Sequence, residues 1–147
     1  MRHLGLLIFL SLCLAGCAAK PPELKLFFCK DYPVFAPSSV ESAMGAQTAD
    51  SMNDPNANHH LTYWLHCEAK PEAVVKFYRE KMASLPSAKE VTGEDKFEDS
   101  LFQMKSGPTS AADKVVSVEV IIDKEEKNGK TVLRLTETLK PGLKYPD

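Results

Sequence analysis

Apolar positions along residues 31–140 recur at two periods, and the change from one to the other marks the elements. Leu61, Tyr63, Leu65 and Cys67 alternate with Thr62, Trp64 and His66, the pattern of a strand with one buried face. From Pro71 the period lengthens. Val74, Phe77, Tyr78, Met82 and Leu85 fall on one side of a helix, and Lys76, Arg79 and Glu80 fall on the other. Pro71 suits a first turn, where no N–H is needed, and Glu72 complements the helix dipole. Lys70 is a poor N-cap, so the helix start should fray or borrow a partner from elsewhere. Pro86 ends the helix by disfavouring helical geometry at Leu85.

Period two then returns. Residues 89–92 and 100–105 predict short strands. Val116, Val118, Val120 and Ile122 alternate with Ser117, Glu119 and Ile121 in a stronger one. Asn128-Gly129 is the favoured pair for a tight type I′ hairpin turn, although the flanking "DKEEK" suggests a longer charged loop. Thr131–Leu139 carries Leu133, Leu135 and Leu139 on one face. Upstream, residues 38–47 read as an irregular strand, and 48–59, rich in Asn, Asp, Ser and Pro, as a loop. These elements predict an α+β fold: one main helix packed on a mostly antiparallel sheet of about five to six strands, in two layers.

The first residues follow a different rule. Residues 4–14 are almost wholly apolar but about half the length needed to cross a bilayer, which fits the core of a signal peptide. The run closes on Leu14-Ala15-Gly16-Cys17. This tetrapeptide resembles the lipobox of bacterial lipoproteins. The resemblance implies that residues 1–16 are removed and that Cys17 is lipidated, its acyl chains holding the protein on a membrane. Ala18 after the cysteine implies, by the sorting pattern of such lipoproteins, the periplasmic face of the outer membrane. Residues 17–30 are then expected to be a short tether, 31–140 the single domain and 141–147 a C-terminal tail.

Tyr32-Pro33 before the first strand, and Pro71-Glu72, Val74 and Phe77-Tyr78 on the helix, resemble a group of small secreted or lipid-anchored bacterial domains. In that group Pro-Glu-x-Val-x-x-Phe-Tyr packs one helix on a sheet. The resemblance covers most of residues 31–139 and implies fold rather than activity. The Gly-Trp that often follows the helix there is replaced here by "SLPSAKEV".

Charge and candidate chemistry narrow the picture only a little. The formal net charge is −2, and no run of Lys or Arg forms a stripe that would track phosphates, so nucleic acid is not an expected partner. With Cys13 in the leader and Cys17 lipidated, Cys29 and Cys67 remain as an even pair in an oxidising compartment. A disulfide between them is expected, closing a loop of about 38 residues and contributing roughly 4 kcal/mol. His60 and His66 would stand roughly 20 Å apart along one strand, too far to share an ion, and no metal or other cofactor is expected. No nucleophile elbow, P-loop or dinucleotide fingerprint occurs, and the chain is read as non-enzymatic. Trp64, on the strand face opposite Tyr63, is the candidate binding anchor. The expected function is a lipid-anchored cell-envelope module that binds another envelope protein through its open sheet face or an edge strand. The alternative is a small-molecule or glycan binder.

Overall fold

The structure, a computed structural model, describes residues 22–47 and 58–146. Six strands form one antiparallel sheet: β1 (Ser39–Gln47), β2 (His59–Cys67), β3 (Lys89–Glu90), β4 (Ser100–Ser106), β5 (Val115–Asp123) and β6 (Thr131–Leu139). Their order across the sheet is β1-β2-β6-β5-β4-β3. The helix α1 (Pro71–Met82) packs on one face over β4 and β5. The fold is therefore α+β in two layers, as the two periods predict.

The buried face of the sheet is built by alternation. Leu61, Tyr63, Leu65 and Cys67 of β2 and Val118, Val120 and Ile122 of β5 meet Val74, Tyr78 and Met82 of α1 in one core. Each such side chain, once buried, contributes about 1.5–3 kcal/mol. No side chain caps the first-turn N–H groups of α1 at Lys70, while Thr131 Oγ1 donates to Ala69 O at 2.6 Å and fixes the chain where it enters the helix. The helix stops at Met82, and Leu85 N donates to Met82 O at 2.9 Å in the turn that follows, so Leu85 packs from a turn and not from the helix. Asn128 and Gly129 both take positive φ, 55° and 71°, the pair of left-handed residues that a tight type I′ hairpin requires. The strand expected at 89–92 is only two residues long, because the chain turns away at Gly93 (φ 72°) into a short 3-10 turn, Gly93–Asp95.

Two expected boundaries need correction. The tether was expected to run to residue 30, yet the chain packs on the core from Leu24 onward. Phe27 and Cys29 are 1% exposed, and Phe27 stands edge-on to Tyr63 at 5.5 Å. Large apolar side chains in "LKLFFC" carry this segment onto β2 and β6, beyond the strands that α1 covers. The expected C-terminal tail is also docked. Tyr145 stacks on Phe28 with ring centroids 5.5 Å apart, and its hydroxyl bonds Glu137. The signal segment, Cys17 and the loop at 48–57 lie outside the described residues.

Candidate functional site

The sheet face away from α1 carries the polar phase of β2, β4, β5 and β6. Register places Ser42, Trp64, Arg134 and Ile121 in one row across β1, β2, β6 and β5. The next row holds Met44, Thr62, Thr136 and Glu119. Thr62 and Thr136 share a hydrogen bond of 2.8 Å, and His60 Nδ1 lies 3.0 Å from Thr138 Oγ1. Burial, and then the charge of Lys105, hold His60 below its ordinary range, so it is neutral at pH 7. Gln103 donates to Glu119 at 2.9 Å and accepts from Phe97 N at 2.8 Å, which ties the loop before β4 onto this face.

Beside Trp64 the face deepens into a groove of about 720 Å³. Arg134 forms its floor. Its guanidinium donates to Asp123 at 2.5 Å and lies 5.5 Å from the ring centroid of Phe97, held between an anion and an aromatic face. Outside the groove, His66 Nε2 is 2.9 Å from Oε2 of the lining Glu41, near enough for an ion pair but off the line of a hydrogen bond. Lys127 reaches the other oxygen of Glu41 at 2.8 Å and holds that carboxyl below the usual carboxylate range. The groove is lined by five carboxylates, Glu41, Asp99, Asp123, Glu125 and Glu126, against Lys124, Lys127 and Arg134. Two of those carboxylates are spoken for by Lys127 and Arg134. The surplus is negative, and it stands beside the chain's single tryptophan.

A second cluster lies in the core. Glu137 is fully buried on the helix-side phase of β6 and receives Phe28 N at 3.0 Å, Cys29 N at 2.8 Å and Tyr145 Oη at 3.0 Å. A buried carboxylate persists only with such donors around it. Nearby, Asp31 accepts from Ser110 at 2.6 Å and Thr109 at 2.8 Å, and those two bonds hold it below the ordinary range. Glu137 is sealed from water and Asp31 is exposed, and both pin chain segments to one another. Burial, then the charge of Glu137, push the Cys29 thiol up to about 11, far from the range of a reactive thiolate.

The disulfide expected between Cys29 and Cys67 is not formed: both are buried free thiols. Cys29 sits against Glu137 near one end of β6, and its Sγ donates to Ser110 O at 3.1 Å. Cys67 pairs in register with Thr131 at the other end of β6. Thr131 and Glu137 are six residues apart, roughly 20 Å along a strand, whereas a disulfide needs Cα atoms within about 7 Å. The even count of cysteines carried no information on this distance. Alkylation of the non-reduced protein is therefore expected to label neither thiol while it is folded and both Cys29 and Cys67 once it is denatured. Absence of label in denaturant would restore the bridge.

Of the residues singled out from sequence, Trp64 sits on the helix-free face, half-buried, as its phase implies. His60 and His66 share that face and are engaged separately. Among the described residues no three His, Cys, Asp or Glu side chains gather as a metal site would require. Sequence reasoning missed Arg134, Asp123 and Phe97, which shape the groove, and Glu137. Only Glu137 left a legible signal, as a lone charge in the apolar phase of "TVLRLTETL". Comparison with protein-family models, with curated proteins and with solved structures finds no match to this chain.

Proposed function

We propose that this chain is a cell-envelope lipoprotein, anchored through acyl chains on Cys17, whose helix-free sheet face binds another envelope protein. The reading assigns it binding and not turnover. Its main support is the groove at Trp64. An aromatic side chain beside carboxylates left over after internal pairing suits a cationic side chain, worth about 0.5–2 kcal/mol through the ring and more through the carboxylates. The partner of that chemistry is a protein segment rich in Lys or Arg. Pinning by Asp123 and Phe97 keeps Arg134 from filling the groove itself. The anchor and the fold then act together. From Cys17 to Leu24 the chain spans at most about 24 Å, so the groove is presented close to the membrane surface.

Trp64, as the only tryptophan, reports directly on the groove. A Lys/Arg-rich peptide is expected to change its fluorescence saturably at low salt, more weakly at 0.5 M salt, and not at all in the Glu125→Lys, Glu126→Lys double variant. A soluble cell-wall glycan that shifts the signal without salt dependence would replace the protein partner by a sugar. No response to either would remove the groove from the function. The mature protein should also begin at Cys17 with added acyl mass, and an unmodified Cys17 would end the anchor reading.

A further inference from the structure

The two edges of the sheet are built differently. β3 has two residues, Lys89 and Glu90, and runs at once into the 3-10 turn. A short, charged edge resists the addition of a further strand. β1 has none of these defences over most of its length. Its nine residues, "SVESAMGAQ", contain one charge and neither proline nor lysine, and its irregularity is confined to the stretch between Val40 and Ser42. Residues 39–45 are all exposed. Among the described residues no strand pairs with the outer edge of β1. Met44, at 55%, is the most exposed large apolar side chain described.

We propose that β1 is a self-association edge. Two copies of this chain pair antiparallel through it, centred on Met44, and join their sheets into one. Pairing about that centre sets Met44 against Met44 of the second copy, with Cβ atoms about 5 Å apart on the same face. Ala43 falls opposite Gly45, and both are small enough for the strands to close. Glu41 lies away from the axis and is already neutralised by Lys127 of its own chain at 2.8 Å, so like charges do not meet.

The direction of the chain also favours a second copy. An antiparallel pair across a sheet edge has its two-fold axis perpendicular to the sheet, which keeps both helix faces on the same side. The N-terminal segment docks on that face, Leu26 N donating to the Tyr63 hydroxyl at 3.0 Å. Both chains therefore run towards residue 17 on one side, and both anchors can enter one membrane. This last step rests on the proposed anchor at Cys17. Confinement to a bilayer raises the effective concentration, so one pair of strands suffices for association there.

The test uses the full chain, in cells that lipidate it, with Met44→Cys and mild oxidation of intact membranes. A reducible product of twice the chain mass is expected, with none from the parent chain or from Leu101→Cys, an exposed site on β4. Met44→Cys that stays single, that links only to a different protein, or that links no more than Leu101→Cys would overturn the proposal. Unchanged far-UV circular dichroism of the purified variant keeps a folding defect from imitating the negative result. Trp64→Ala should leave the link intact, which separates this edge from the groove. A Cys17→Ala chain that still sediments with membranes would end the anchor reading while the Met44→Cys link stands or falls on its own.

Discussion

Replacement of Glu137 by alanine is expected to lower the stability of the folded protein by about 3–5 kcal/mol, the largest effect of any single substitution named here. The carboxylate accepts the buried N–H groups of Phe28 and Cys29 and the hydroxyl of Tyr145. Each donor left without a partner costs about 1–3 kcal/mol, and bonds to a charged acceptor lie at the upper end. For a domain of this size the melting temperature should fall by roughly 10–20 °C. Glu137→Gln should recover only part of the loss, because the amide nitrogen would face a backbone N–H. Tyr145→Phe, which removes one donor from a site that keeps its acceptor, should cost only about 1 kcal/mol.

An ordinary core residue would also destabilise when truncated, so a second readout is needed. Glu137 joins β6 to segments far away in the chain, at Phe28 and at Tyr145. In Glu137→Ala, hydrogen exchange at residues 26–30 should rise well before exchange in β5, whereas a plain cavity in the sheet would loosen β5 and β6 together. A stability loss below about 1 kcal/mol would mean that the N-terminal segment is not held by this carboxylate. The link to function runs through the same residue. Under the proposed anchor at Cys17, release of the segment would lengthen the chain between anchor and sheet, and the groove would no longer be kept close to the membrane.

The elements that alternate strictly were legible in the sequence because burial on one face of a strand imposes period two. β2, β6 and β5 from Ser117 onward lie where their apolar phases predict, and Trp64 lies on the opposite face for the same reason, but an irregularity between Val115 and Ser117 puts Val115 in the core and leaves the expected Val116 45% exposed. α1 was legible from its apolar side and from Pro71. What could not be read were the contacts between segments distant in the chain. "LKLFFC" has no period and resembled a tether, although Phe27 and Cys29 are core residues. The pairing of Arg134 with Asp123 depends on the register of β5 against β6, which no local pattern supplies. The two cysteines show the same limit. Their number suggested a bridge, but only the strand register shows that they lie at opposite ends of β6.

Stability should be level between about pH 7 and 8 and should fall between pH 9 and about 11, with Cys29 responsible for the first part of that fall. In the folded chain burial and the charge of Glu137 raise this thiol from 9.0 to about 11. As pH rises past 9 the unfolded chain therefore gives up its proton first, and deprotonation favours the unfolded state. The stability associated with the neutral thiol is complete below pH 9 and is lost by about pH 11, on the order of 3 kcal/mol. Burial also raises the Cys67 thiol and the hydroxyls of Tyr32, Tyr78 and Tyr145, so the same sign continues at higher pH. Cys29→Ala should be less stable at pH 7, because of the space it leaves, yet should lose less on going from pH 8 to 11. Urea unfolding of both proteins at each pH decides the matter, the difference between their slopes isolating the thiol. Equal slopes, or thiolate absorption from the native protein near pH 9, would mean that Cys29 is open to water and that the cover formed by residues 24–30 and Tyr145 is not closed.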